Sequence, residues 1–380
     1  MPRLSLAHAA FVALAFSSQC GAARAEEPLS IAKQGYLFAG QSLVKIDGKD
    51  IPGGQLYAEF QIPAKQTDPY PVIMVHGGSQ SGSNFTGTPD GREGWAQYFL
   101  RRGYAVYVVD QVGRGRAAFR PELYAKTAST PVATVMQRFV APEQYNLWPQ
   151  AKLHTQWPGK GDPNDPVTLE FLAAQLPSIS DFPQQQKLNR LALVALLDRI
   201  GPSIVLTHSQ SGAFGWPVAD DRPNLVKALV QVEPSGPPVR DTDYTGAPDW
   251  FKDQTETKPW GLGYEKLTYA PAAADPKELS FVRQEKADSP DLVRCWSQAT
   301  PARQLPNLQK MPILIVTSEA SYHAPYDHCT VRYLEQAGVH PTYIRLPDVG
   351  IHGNNHMMML EKNNMDIAAV LADWTDKTVK

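Results

Sequence analysis

The sequence predicts an α/β fold, in which a mostly parallel sheet is covered by helices on both faces. Continuous apolar runs of strand length alternate with segments of helical periodicity, as where "PVIMVHGG" (71–78) is followed by "GWAQYFLRRG" (94–103). Fully apolar strands are typical of sheets that are buried on both sides. The residues that follow these strands should therefore gather at one edge of the sheet, where ligands bind in folds of this class.

The elements follow one another in a consistent order. Two alternating segments, "GYLFAGQSLVKI" and "GQLYAEFQIPA", predict an antiparallel pair that opens the sheet. Further strands are expected at 71–78, 104–110, 203–209 and 225–234, and in "MPILIVTSEAS" and "PTYIRLPDVG". Helices are expected at 94–103, in "LNRLALVALLDRIG", around 326–337 and in "NNMDIAAVLADWT".

Two regions interrupt this alternation. Residues 118–185 mix Trp, His and Pro without a sheet pattern, and they predict an inserted cap. Residues 236–300 are also irregular and aromatic, which indicates a second cap segment or a long excursion. The core is then expected to comprise residues 26–117, 186–235 and 301–380.

The N-terminus has the pattern of a secretory signal. Arg3 precedes a short apolar stretch, and a small-x-small pattern ends at Ala25. We therefore expect a signal peptide over residues 1–25, cleavage after Ala25, and a secreted or periplasmic protein. No later window reaches the roughly 20 apolar residues of a membrane-spanning helix.

Charge and cysteine content narrow the classes further. Removing residues 1–25 takes two arginines from the 36 basic residues and none of the 38 acidic ones. This near-neutral balance gives no electrostatic reason to bind nucleic acid or an anionic membrane. Cys295 and Cys329 remain, and an oxidising compartment favours a disulfide between them. Two free buried thiols are the alternative, because the sequence does not show their separation.

A candidate nucleophile follows a buried strand. The stretch "THSQSG" (207–212) lies directly after "SIVL", and Ser209 within it has small residues on both outer flanks. A serine raised on a sharp strand-to-helix turn needs such small neighbours, because strand and helix approach closely there. The alternative is a serine that only caps a helix.

A serine nucleophile requires a base and an orienting acid, which follow it along the chain. The loop "DVGIHGNNHMMMLEKNN" offers His356, favoured because it directly precedes a helix-like run, and His352. An aspartate would be expected at position 321, which is a serine. Glu233 ends the preceding strand in "VQVEPSG" and is the favoured acid, with Glu319 and then Asp348 as alternatives; a buried salt bridge is the other interpretation of Glu233.

The oxyanion hole should consist of backbone N–H groups. Gln210 follows the nucleophile, and Gly78, with Gly77 adjacent, lies in "HGGS" after the third strand. We expect the His76 side chain to brace this loop. Four aromatic residues are expected to line the substrate pocket, with a place in the core as the alternative for each: Trp148, Trp157, Phe214 and Trp216.

These motifs resemble the α/β-hydrolase fold family. Within it, "GWAQYFLRRGYAVYVVDQVGRGR", "THSQSG", "VEPSG" and "GIHGNNHMMMLEKNN" are similar to the Alcaligenes-type bacterial esterases over most of the chain. The resemblance implies a triad of Ser209, Glu233 and His356, with the glutamate after strand six. That esterase has adjacent cysteines after "HG", where this chain has Gly78 and Ser79.

The sequence therefore predicts a serine hydrolase that cleaves carboxylic esters through an acyl-enzyme. The alternative reactions on the same triad are hydrolysis of a lactone, an amide or a C–C bond. A non-catalytic binding protein is a third hypothesis. We expect a small-molecule ester as substrate, no metal or organic cofactor, and no nucleic-acid partner; a homodimer is left open. "HAPYDHC" suits a loop entering a helix better than a metal site.

Overall fold

The computed structural model describes residues 28–379. The predicted signal peptide and its cleavage site lie outside the described residues. Eight strands form the main sheet, in the order β1-β2-β4-β3-β5-β6-β7-β8. They are β1 (Ile31–Ala39), β2 (Leu56–Pro63), β3 (Val72–Val75), β4 (Val106–Asp110), β5 (Ser203–His208), β6 (Val226–Val232), β7 (Ile313–Thr317) and β8 (Thr342–Arg345).

The sheet is mostly parallel, as predicted. β1 pairs with β2 and β2 with β4 in antiparallel fashion, and every later pairing is parallel. In register, Met74 of β3 lies opposite Leu206 of β5, and Val232 of β6 lies opposite His208. The carboxyl ends of β5 and β6 are therefore level, and the residues after them are brought side by side.

Helices cover both faces of the sheet. They are α1 (Trp95–Arg101), α2 (Phe182–Ile200), α3 (Gly212–Asp221), α4 (Asp327–Gln336) and α5 (Asn364–Thr378). Neighbouring strand residues face opposite sides, so Ile73 packs in the cluster of α2, α3 and α4, and Met74 packs with α1 and α5. The α/β class expected from the apolar strands is confirmed.

Helix α2 is longer than its apolar pattern indicates. Asp181 caps it by accepting a hydrogen bond from the Gln184 N–H at 2.8 Å, and Pro183 occupies its first turn. The helix therefore begins at Phe182, inside the stretch 118–185 that we expected to be the cap.

The two irregular regions contain only short elements. The first holds the strands Thr127–Ala128 and Ser178–Ile179, the helices Val132–Val135, Pro142–Tyr145 and Pro166–Ala173, and the π-helix Met136–Val140. The second holds two short hairpins, Thr242–Tyr244 with Phe251–Asp253 and Phe281–Arg283 with Trp296–Gln298. A disulfide between Cys295 and Cys329 ties the second region to α4. A third hairpin, Ser42–Ile46 with Lys49–Gly53, separates β1 from β2. Over the described part of the chain, no helix has both the length and the apolar character to cross a membrane.

Candidate active site

Ser209 lies on a sharp turn between β5 and α3. Its φ of 56° is in the left-handed region, which is costly for a residue with a side chain. Ser211 supports the turn, since its Oγ accepts the His208 N–H at 2.9 Å and lies 2.8 Å from the Val75 carbonyl oxygen. A methyl group on Gly212 would lie 2.5 Å from Pro234 Cβ, so the small flanking residue is required by close packing.

Glu233 follows β6, and its carboxylate contacts the imidazole of His356. His356 Nδ1 lies 2.6 Å from Glu233 Oε2. Glu233 Oε1 accepts hydrogen bonds from the Ser318 N–H at 2.8 Å and the Ser318 hydroxyl at 2.5 Å, and Ser321 Oγ donates to Oε2 at 2.7 Å. The position where an aspartate was expected thus holds a serine that binds the carboxylate of Glu233.

The alternative base and acids lie elsewhere. The His352 side chain is 62% exposed and pairs with Glu319 at 3.1 Å. Asp348 is exposed and lies 3.7 Å from Arg345. Neither carboxylate contacts His356, so the geometry brings together Glu233 and His356 from the residues that the sequence singled out.

The ring of His356 is packed among other rings. His323 stacks on it with centroids 4.7 Å apart, Phe139 stacks at 5.5 Å, and His208 lies at 4.5 Å. Burial holds the pKa of His356 well below its usual value, and the neighbouring His323 and Arg138 lower it further. The imidazole is therefore held neutral, which is the form that can accept a proton.

Tyr322 is the hydrogen-bond partner of the second nitrogen of the His356 imidazole. Its hydroxyl lies 3.1 Å from His356 Nε2. Because Nδ1 donates its proton to Glu233, Nε2 is the acceptor and Tyr322 is the donor. Tyr322 also interacts with Ser209. Within residues 28–379 the hydrogen-bond partner of Nε2 is thus Tyr322 rather than Ser209. For Nε2 to accept a proton from Ser209, the Tyr322 hydroxyl would have to give up this hydrogen bond.

The loop before the predicted oxyanion hole is held by a buried arginine. Arg114 donates to the Gly77 carbonyl at 2.7 Å and to Gln210 Oε1 at 2.6 Å, and burial lowers its pKa to about 9. His76 Nε2 accepts the Gln111 N–H at 3.1 Å, so its Nδ1 donates to the Gly77 carbonyl at 2.9 Å. His76 therefore braces this loop, as expected.

Two cavities meet at Ser209. The first has a volume of about 360 Å³ and is lined by Gly78, Gln210 and His356. The second, about 280 Å³, lies toward Lys258 and Asp241. Both are also lined by Arg138, Phe182 and Tyr322. A larger surface cavity of about 460 Å³ opens beside Glu319 and contains neither Ser209, Glu233 nor His356.

The four aromatic residues expected in the pocket line neither cavity at Ser209, which corrects that expectation. Phe214 and Trp216 of α3 point into the core beneath the sheet. Trp157 packs on Phe171 and borders a separate cavity of about 130 Å³. Trp148 is fully buried and donates to the Ala320 carbonyl at 3.0 Å. Large apolar rings gain more by full burial than by lining a polar cavity.

Two groups of potential metal ligands occur in the described part of the chain: Cys295 with His328 and Cys329, and Glu233 with His323 and His356. The cysteines of the first group are joined to each other. In the second group, Glu233 binds His356, and His323 Nδ1 lies 3.0 Å from Asp327. These atoms are thus engaged with protein partners.

The sequence analysis did not single out Tyr322 or Arg138, and it considered His323 only as part of "HAPYDHC". Tyr322 and His323 directly follow Ser321, the position where an acid was expected, so chain position was the available signal for both. Arg138 lies on a π-helix in an irregular region, where no pattern indicated its direction.

Comparison with known proteins agrees with this fold. The probable secreted lipase phiG of Fungal sp. (strain ATCC 74256) is 44% identical over 324 residues, covering 85% of this chain and 86% of the relative. A novel bacterial esterase of known structure has a TM-score of 0.61 and 22% identity, covering 93% of this chain and 98% of that one, and this likeness concerns the fold. A model of the alpha/beta hydrolase family matches residues 72–370. The chain therefore belongs to the alpha/beta hydrolase family.

Proposed function

We propose that this protein is a secreted serine hydrolase that cleaves carboxylic esters, with Ser209 as nucleophile, His356 as base and Glu233 as the orienting acid. The observation that carries the proposal is the 2.6 Å contact between His356 Nδ1 and Glu233 Oε2, next to a serine on a strained turn. The names of its relatives support the same class: one is a probable secreted lipase, the other a bacterial esterase.

The reaction begins when Ser209 Oγ attacks the ester carbonyl and its proton passes to His356 Nε2. The imidazolium is stabilised by Glu233, which is held by Ser318 and Ser321. The tetrahedral intermediate then expels the alkoxide, which takes the proton from Nε2 and leaves as the alcohol. Water attacks the acyl-enzyme by the same route and releases the acid, and Ser209 regains its proton.

The backbone N–H groups of Gly78 and Gln210 are the proposed oxyanion donors. Both residues line the cavity that contains Ser209 and His356. Arg114 joins the two loops through Gly77 and the Gln210 side chain, so the donors are positioned before substrate binds. Such preorganisation makes the donors effective, because little reorganisation is needed as charge develops.

The irregular regions are proposed as a two-part cap. The first supplies Thr130 and Arg138 to the cavity walls, and the second supplies Tyr244 and Lys258. A glutamate after strand six, paired with a histidine before the last helix, also supports a place among the Alcaligenes-type esterases.

The test is labelling by a fluorophosphonate, followed by intact-protein mass. We expect one adduct on the wild type and on Ser289→Ala, a control serine outside both cavities, and none on Ser209→Ala. Hydrolysis of an ester, a lactone and an amide with the same acyl group then identifies the bond. An adduct that persists on Ser209→Ala would refute the assignment, and the absence of any adduct would favour a binding protein.

A further inference from the structure

Arg138 is held beside the catalytic base by its own backbone. It lies on the π-helix Met136–Val140, and π-helical turns are frequent at functional sites. The Asn355 side-chain amide donates to the Arg138 carbonyl at 2.9 Å and to the Phe139 carbonyl at 3.0 Å. Phe139 in turn stacks on His356. The position of Arg138 is thus tied to the loop that carries the base.

Among residues 28–379, the guanidinium of Arg138 has no anionic partner. It lies over the rings of Tyr322, at 5.3 Å, and Tyr244, at 5.9 Å. Across residues 28–379, no hydrogen bond or ion pair engages its side chain, whereas Arg114 and Arg190 are both bonded through their guanidinium nitrogens. The planar fork of an arginine matches a carboxylate with two parallel hydrogen bonds, so the free donors of Arg138 form a ready anion site.

The charge of the two cavities points to the same ligand. Three charged side chains line the cavity of about 280 Å³ at Ser209, and two of these, Lys258 and Asp241, form an ion pair with each other. Arg138 is the remaining charged side chain. It is also the charged residue of the cavity of about 360 Å³ at Ser209, where His208 and His356 are held neutral by burial. The lining of the two cavities therefore carries one positive charge, on Arg138, that no anion of the lining pairs; the carboxylate of Glu233 contacts His356 Nδ1 and lines neither cavity.

The position of Tyr322 indicates which part of the substrate lies near Arg138. Its hydroxyl marks His356 Nε2, the atom that returns a proton to the departing alcohol. Arg138 lies over the same tyrosine ring. We propose that Arg138 binds a carboxylate carried by the leaving alcohol, so that the substrates are esters whose alcohol part is anionic. This inference rests on the proposed ester hydrolysis.

The experiment compares two acetate esters, 4-acetoxybenzoate and the neutral 4-acetoxybenzamide, at pH 8. Arg138→Gln should lower kcat/KM for the anionic ester by about 10- to 100-fold, mainly through KM, and should change the neutral ester by less than about threefold. Arg138→Lys keeps the charge but loses the fork, so we expect an intermediate loss. Arg294→Gln removes an exposed charge outside both cavities and should leave both rates unchanged.

An equal loss on both esters would overturn the proposal, because Arg138 would then act on Tyr322 or on folding. The proposal would also be overturned if Arg138 affected selectivity only between two esters that differ in charge on the acyl side, monoethyl succinate and ethyl succinamate. Binding separates this inference from the proposed function. Calorimetric titration of Ser209→Ala with 4-acetoxybenzoate should give an affinity that falls when Arg138→Gln is added, even if the wild type hydrolyses neither ester and takes no fluorophosphonate label. Equal affinity in the two variants would refute the site itself.

Discussion

His154 and His356 are both buried histidines that bind a buried glutamate, yet their pKa values are displaced in opposite directions. His154 Nδ1 lies 2.8 Å from Glu143 and Nε2 lies 2.9 Å from Glu361. Burial opposes its charged form, but the two carboxylates outweigh this and raise its pKa to about 9. His356 has one carboxylate, and burial, aided by His323 and Arg138, holds its pKa well below the usual value.

The difference shows how one pair of residue types serves two purposes. Both nitrogens of His154 donate to carboxylates, so it stays charged and cannot accept a proton. Its partner Glu361 also accepts from the Asn354 amide at 2.7 Å and the Asn355 N–H at 3.1 Å. His154 therefore ties the first irregular region to the loop that carries His356, while His356 keeps Nε2 directed at the cavities.

The largest effect is expected from His356→Gln. Glutamine retains an N–H donor for Glu233 but cannot take the proton of Ser209, so kcat/KM for an ester should fall by about 10³-fold or more. The rate of fluorophosphonate labelling should fall with it. The measurement is the initial rate of hydrolysis by protein whose fold is verified by circular dichroism. Activity within tenfold of the wild type would show that another base is used.

His154→Gln should reduce the stability of the protein much more than its activity. Losing the charge between Glu143 and Glu361 leaves a buried carboxylate unpaired, which should lower the free energy of unfolding by about 3 to 5 kcal/mol. The kcat/KM should fall by less than about tenfold, because the contacts of the proposed triad are not changed. Urea denaturation at pH 6 measures the change, with His340→Gln, at an exposed position, as control. A large loss of kcat with unchanged stability would contradict this role.

The same ion pair predicts a pH dependence of stability. The folded pKa of His154, about 9, is raised above the ordinary 6.5. Its contribution is therefore complete below pH 6.5 and is lost as the pH rises through 9. The difference in unfolding free energy between wild type and His154→Gln should shrink by about 3 kcal/mol over this range. Denaturation curves at pH 6, 7.5 and 9.5 test it, and a constant difference would mean that His154 is uncharged.

The sequence predicted the elements of the site that depend on chain order. Ser209 and Glu233 each follow a buried strand, and His356 precedes the last helix, so the α/β order alone places them at one edge of the sheet. The steric argument for the turn at Ser209 also agrees with the packing of Gly212 against Pro234. Such features need only local patterns and the rule that parallel strands end together.

The remaining features depend on how irregular segments pack. Nothing in "KLHTQWPG" indicates that His154 binds Glu361, which lies 207 residues further along the chain. Trp148 and Trp157 are in the expected cap region, but their rings are buried behind the cavity walls. Arg138 reaches the cavities from a π-helix, whose side-chain directions follow neither the helix nor the strand period. Where a segment has neither the helix nor the strand period, its local sequence does not indicate which way its side chains point.

The smallest effect concerns the acid limb of activity. His356 must be neutral to act as a base, and a group is neutral above its pKa; a lowered pKa therefore places the fall of kcat/KM below pH 6.5. Arg138→Gln removes a nearby positive charge that disfavours the imidazolium, so the limb should move to higher pH by about half a unit. The profile is measured with neutral 4-acetoxybenzamide from pH 4 to 8, and His154→Gln should leave it unchanged. A wild-type limb above pH 6.5 would mean that Glu233 stabilises the imidazolium more than burial disfavours it, and the contrast between the two histidines would then lie in the number of carboxylates that each one binds.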